Sequence, residues 1–214
     1  MPISRRNILS LVGAAVAAPT LGTRLAQAAT PDNSPFGQRS IGAPNAPVTA
    51  IEYFSLTCTH CAYFANTVMP QVKPKLVDTG KLQIIYRDFP LDAVALQAAQ
   101  VARSLPADEY YTFIEALFAN QDDWAFVPVT DPNNPPDYAG LLYKYAALAG
   151  MDQTTYQAAI HNDKLKAFIL QGQQDAEKQY NVNATPTFII NGKIFPGAME
   201  YPDFARVVAQ AASS

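Results

Sequence analysis

The 214-residue chain has little cysteine, histidine or tryptophan: two Cys, two His and one Trp. Two cysteines cannot build a four-cysteine zinc site. A mixed site would need both histidines, one of which, His161, lies roughly a hundred residues from the cysteines. Charge is sparse at 15%, and acids outnumber bases by 18 to 15. With a net charge of −3 the chain has no basic excess to offer a polyanion, which disfavours nucleic-acid binding. The uncharged stretch from Asn7 to Thr23 is too short and too weakly apolar to span a bilayer. There is no internal repeat and no low-complexity tract.

What is present is ample core material. The chain is 49% hydrophobic, with 11 Tyr and 11 Phe, as expected of one globular domain that has room for an insertion. Residues 1–28 differ from the rest: they hold Arg5, Arg6 and Arg24 and no acid, and they end in the small-x-small pattern Ala26-Gln27-Ala28. That pattern reads as a cleaved export signal, so the mature protein is expected to begin at Ala29 and to be periplasmic. "SRRNIL" (Ser4 to Leu9) resembles a twin-arginine signal, but Ile8 replaces the consensus Phe, so both export routes stay open. Without the three signal arginines, 12 bases face 18 acids and the net charge deepens from −3 to −6. Outside the cytosol a lone cysteine pair can persist as a disulfide.

The mature chain divides by pattern. Residues 29–46, rich in Pro, Gly, Asn and Ser, read as a lead-in segment. "VTAIEYFS" (Val48 to Ser55) is an apolar run that suits a buried strand and carries one acid, Glu52. A helix is expected from Thr59, with Ala65, Val68, Val72 and Leu76 on one stripe, kinks at Pro70 and Pro74, and an end at Gly80. "KLQIIYRDFP" (Lys81 to Pro90) returns to strand character, giving a βαβ unit with a parallel pair. Residues 89–181 read as a helical insertion, with stripes such as Val94, Ala98, Val101 and Leu105, or Leu141, Leu142, Tyr145 and Leu148. Its one clear break is the proline-rich loop Asp122 to Tyr138. Thr187 to Ile190 and Ile194 to Pro196 flank Asn191-Gly192, a hairpin signal, and an amphipathic helix follows from Tyr201. The core is thus expected over 47–88 and 182–214.

The two cysteines, Cys58 and Cys61, form a C-x-x-C at the junction of the first strand and the first helix. A disulfide across two residues closes too small a loop to constrain the unfolded chain much, so a purely structural role is weak. A redox role has a physical warrant. Cys58 falls at a helix N-terminus, where unpaired amides and the helix dipole favour a thiolate. Cys61, one turn deeper, suits a resolving thiol, and His60 between them can lend a proton or a positive charge to Cys58. For His60 the bland alternative is a surface histidine.

"EYFSLTCTHCAYF" resembles the active-site run of the DsbA-like thiol:disulfide oxidoreductases of the thioredoxin superfamily, with Thr59 where the best-known members have Pro. "IGAPNAPVTAIEY", "YRDFPLD" and "ATPTFIING" match that family in order and spacing. The resemblance implies an α/β thioredoxin-like fold with an inserted helical domain and no cofactor beyond the cysteine pair. It implies a cis Thr185-Pro186 bond facing the disulfide, where substrate backbone lies, with the Thr185 hydroxyl tuning the sulfurs and Thr59 on the same substrate face. It also places Glu52 beneath the disulfide, either as a proton acceptor for the resolving thiol or as half of a structural ion pair with a lysine.

The expected activity is that of an exported dithiol oxidase, acting on reduced or misoxidised exported proteins through Cys58–Cys61. Reoxidation by a quinone-linked membrane partner is implied by the family. A reductase or isomerase of the same fold is the first alternative, since Thr before Pro186 resembles that branch. The segment 29–47 has no room for the N-terminal dimerisation domain of periplasmic isomerases, so a monomer is expected. A chaperone or metal-binding module without turnover is a more distant reading.

Overall fold

Seven residues dense in β-branched and aromatic side chains, Val48–Phe54, form β2, the central strand of a five-stranded sheet. The computed structural model describes residues 32–213, so the export-signal reading of residues 1–28 lies outside the described residues. β2 runs parallel to β3 (Leu82–Asp88), from Val48 opposite Leu82 to Phe54 opposite Asp88, as the βαβ reading requires. On its other side β4 (Thr187–Ile190) runs antiparallel, and a two-residue turn leads from β4 into β5 (Lys193–Pro196). The turn residues Asn191 and Gly192 have φ of 44° and 77°, the positive values that match the twist of a tight hairpin.

The sheet order is β1-β3-β2-β4-β5, with β1 (Arg39–Ile41) antiparallel to β3 at the edge. This strand comes from the segment read as a lead-in. Three residues are too few to show an alternation, and what fixes them is tertiary: Arg39 is fully buried and donates to the carbonyls of Ser34 and Arg103 at 3.0 and 2.9 Å.

The helix after β2 is one continuous run in four segments: α1 (Thr59–Tyr63), a π-helical turn (Phe64–Val68), α2 (Met69–Val72) and a second π-helical turn (Lys73–Val77). The expected proline kinks take this form. Pro70 and Pro74 supply no N–H for the ordinary ladder, and beside them Met69 and Asp78 reach five residues back, to the carbonyls of Phe64 and Lys73. The buried side chains Phe64, Val68, Met69 and Val72 pack on the sheet face of Val48, Ala50 and Phe54.

Six helices lie between β3 and β4: α3 (Ala93–Ser104), α4 (Tyr110–Ala119), α5 (Gln121–Trp124), α6 (Tyr138–Leu148), α7 (Gln153–Ile160) and α8 (Asp163–Tyr180). Four of them start at a side chain that accepts a first-turn N–H, namely Asp92, Asp137, Asp152 and Asn162. On α3 the stripe is buried at Ala98, Val101 and Leu105 and half-buried at Val94, but Leu148 is 86% exposed, because α6 buries Leu142 and Ala146 instead. Trp124, at the start of the expected loop, closes the short α5 and donates its indole N–H to Leu117 at 2.9 Å in the core. α9 (Tyr201–Ala212) joins the first helix on one sheet face, with Phe64 ring centroids 4.7 Å from Phe188 and 5.3 Å from Phe204. The opposite face, with Tyr53 and Ile189, packs against Ala176 of α8.

Candidate active site

Where β2 ends, Cys58 turns the chain: its N–H bonds to Ser55 at 3.0 Å and its backbone stays extended, φ −86° and ψ 120°, at the N-cap of α1. Unlike the four caps above, its side chain accepts no capping bond from the first turn. The first-turn amides of His60 and Cys61 are left to act on the Cys58 sulfur. Both cysteines are free thiols; Cys61 is fully buried and Cys58 nearly so.

The turn is held by side chains not singled out from the sequence. Gln121, buried in α5, donates its amide to the carbonyls of Leu56 at 2.8 Å and Cys58 at 3.2 Å. Thr57 donates its hydroxyl to Asp92 at 2.6 Å, and Asp92 also caps α3 by accepting the Ala95 N–H at 2.7 Å. The Ser55 hydroxyl accepts the Leu91 N–H at 3.3 Å. Asp92, just ahead of an apolar periodic run, carried an N-cap signal that could have found it. Gln121 carried none.

Opposite the cysteines the Thr185–Pro186 peptide bond is cis. The Cys58 thiol donates to the Thr185 carbonyl at 3.2 Å, and the Gly197 N–H holds the Pro186 carbonyl at 2.7 Å. The Thr185 hydroxyl is buried and unpartnered around the neutral thiol. Thr59 and His60 are exposed on the first turn, and the His60 ring has no hydrogen-bond partner among the described residues. His60 thus meets Cys58 through its backbone amide.

The electrostatics split the pair. Hydrogen bonding from the Cys61 thiol, then from the Thr185 side chain and the amides of Cys61 and His60, pulls Cys58 down to about 5, against the opposing effect of burial. Burial pushes Cys61 well above its ordinary range, and the charges of Cys58 and Glu52 add to this. Glu52, two residues before the end of β2, is held up to about 8 by burial. The ion pairs among the described residues are Lys73–Asp78, Asp88–Arg103 and Asp203–Arg206, so the lysine partner considered for Glu52 is not there. Among the described residues no group of three or more His, Cys, Asp or Glu is placed to hold a metal.

A C-x-x-C at a helix N-terminus, facing a cis-proline loop on a mixed sheet of this order, defines the thioredoxin class of thiol–disulfide proteins. The thioredoxin family model matches residues 35–210, and the chain belongs to that family, in its DsbA-like branch. Its fold is thioredoxin-like, with helices inserted between β3 and β4. It is 31% identical over 153 residues to a Rickettsia conorii protein provisionally named a protein-disulfide oxidoreductase, over 71% of this chain and 52% of that one. The chain spans about half the length of the first curated relatives it matches. It is 24% identical over 180 residues to disulfide bond formation protein D of Bacillus subtilis, covering 80% of this chain and 76% of that protein. Among solved structures, α-DsbA1 of Wolbachia pipientis superposes with a TM-score of 0.73 at 31% identity, over 82% of this chain and 91% of that one.

Proposed function

We propose that the protein is an exported thiol:disulfide oxidoreductase that introduces disulfides into other exported proteins. The observation that carries this reading is the set of donors around the Cys58 sulfur, which stabilises its thiolate and therefore the reduced state of the pair. A substrate thiolate attacks Cys58 in the Cys58–Cys61 disulfide; a mixed disulfide forms, and Cys61 leaves and takes a proton. A second substrate thiol then attacks the substrate sulfur, and Cys58 departs as a stabilised thiolate. Glu52 is the proton donor to Cys61, because its burial keeps the carboxyl protonated at neutral pH.

Thr185, Pro186 and Thr59 hold the substrate backbone in this scheme, and a quinone-linked membrane partner reoxidises the pair. Export rests on Arg5, Arg6 and the Ala26-Gln27-Ala28 pattern, and the protein acts as a monomer.

The test is the equilibrium of Cys58–Cys61 against a glutathione buffer. A potential near about −120 mV, the value known for DsbA, supports the oxidase reading, whereas one near about −270 mV assigns the protein to disulfide reduction. Cys58→Ser should abolish all turnover. Turnover surviving that substitution would point to a binding role without thiol chemistry.

A further inference from the structure

We infer that Tyr86, Tyr111 and Glu115 form a proton route between buried Glu52 and solvent along the inserted helix α4, on the far side of Glu52 from the substrate face. This rests on the thiol–disulfide reading above and concerns how the interior of that site changes its proton count.

Glu52 and Tyr86 are direct neighbours across the parallel β2–β3 ladder and project to the same face of the sheet. Both line a narrow cavity of about 10 Å³, room for about one water molecule. Its remaining wall is apolar, from Phe64, Met69 and Phe118 among others, apart from Tyr111 and Glu115 on α4. The Tyr86 hydroxyl is buried without a partner, and the Tyr111 hydroxyl donates to Glu115 at 3.4 Å. Glu115 is exposed. The titratable groups that act on this site are Cys61 from α1, Tyr86 from β3, Tyr110, Tyr111 and Glu115 from α4, and Asp78 at the end of the second π-helical turn, while β4 places Phe188 opposite Glu52. No cation pairs with Glu52 among the described residues.

The chemistry demands such an outlet. When the Cys58–Cys61 bond breaks, its electron pair stays on the Cys61 sulfur, which takes a proton from Glu52. That leaves a buried carboxylate with no counter-ion among the described residues, an arrangement that is strongly disfavoured and persists only briefly. The proton then enters from Glu115 and passes by way of the tyrosine hydroxyls and the cavity, each hydroxyl accepting one proton and giving up its own without acquiring net charge. Reoxidation runs the same path outward. Burial holds Tyr86 well above its ordinary range, so its hydroxyl keeps a proton to pass on.

Tyr86→Phe is an informative variant. Its ring packs against Phe54, Tyr110 and Tyr111 at 5.9, 6.1 and 5.8 Å, contacts a phenylalanine retains, and its hydroxyl has no bond to lose. The measurement is the rate at which dithiothreitol reduces the intact Cys58–Cys61 disulfide, followed by acid quench and mass spectrometry on both sides of neutral pH, in H₂O and D₂O. It needs no protein substrate, so it reads the route whether or not the protein oxidises other proteins. Tyr86→Phe and Glu115→Gln are each expected to slow reduction by about tenfold, against ~10²-fold for Glu52→Gln, with a changed solvent isotope effect and an unchanged melting temperature for Tyr86→Phe. Glu109→Gln, which removes an exposed acid at the other end of α4, should leave the rate unchanged. Reduction of Tyr86→Phe and Glu115→Gln at the wild-type rate and isotope effect, while Glu52→Gln is slow, would overturn the route and leave the oxidoreductase reading standing. Failure of the glutathione equilibrium described above would sink that reading and leave the route to this experiment.

Discussion

Two rungs of the same ladder, two residues apart, treat their acids in opposite ways. At the end of the β2–β3 pair, Asp88 stands opposite Phe54 and is paired with Arg103, while Tyr110 donates to its other oxygen at 3.3 Å. Arg103 in turn holds the carbonyls of Pro35 and Gly37 at 3.1 Å, tying the segment before β1 to α3. Two residues earlier, Glu52 stands opposite Tyr86, with no ion pair among the described residues and beside a hydroxyl that bonds to nothing. Both acids are buried. An ion-paired, hydrogen-bonded acid fixes geometry, whereas a buried acid without an ion pair keeps its proton and can give it away. The first arrangement builds the scaffold on which the cysteine turn rests, and the second has no evident structural use.

The difference can be broken most forcefully at the satisfied end. Arg103→Met should destabilise the protein by about 3–5 kcal/mol in urea unfolding, because it leaves Asp88 buried and unpaired. Asp88→Leu combined with Arg103→Met should recover much of that loss, which a simple packing defect would not allow. At the unsatisfied end the sign reverses. An acid whose folded value, about 8, lies above its unfolded value of 4.5 binds its proton more tightly in the folded state. Its stability contribution is therefore full below pH 4.5 and falls as pH rises toward 8. Between acid pH and pH 7, Glu52→Gln should gain on wild type by on the order of 3 kcal/mol, read from paired unfolding curves. A constant difference at all pH values would mean that Glu52 is not held protonated.

A smaller effect is expected at Gln121. Gln121→Leu strips the turn carbonyls of Leu56 and Cys58 of their shared donor and should cost about 1–3 kcal/mol. That glutamine also marks where sequence reasoning stops. The βαβ unit, the Asn191-Gly192 hairpin and the start of the first helix were legible because each is written in local pattern or turn chemistry. β1 was not, since its three residues become a strand only through pairing with β3 and through the buried Arg39. Leu148 was misplaced for a related reason: a stripe shows which side of a helix can be buried, while the neighbours decide where burial ends. At the site, Cys58 and Cys61 stood out by spacing. Gln121 did not, because its partners are carbonyls more than sixty residues away that no local pattern announces.

Two threonines near the cysteines use their hydroxyls in opposite ways. Thr57 spends its hydroxyl on Asp92, which also caps α3, and it does not act on the Cys58 sulfur. Thr57→Val should cost about 1 kcal/mol of stability and leave the Cys58 titration near its present position. Thr185 is the reverse, with a buried hydroxyl that bonds to nothing around the thiol and becomes a donor when the sulfur is charged. Thr185→Val should therefore leave the melting temperature of the disulfide form unchanged, yet move the Cys58 titration upward from about 5, as followed by thiolate absorbance in the ultraviolet. A weaker thiolate is a poorer leaving group, so the reduction potential should fall in step. If both valine variants titrate alike, the Thr185 hydroxyl has no part in tuning the sulfur, and the thiolate rests on Cys61 and the first-turn amides alone.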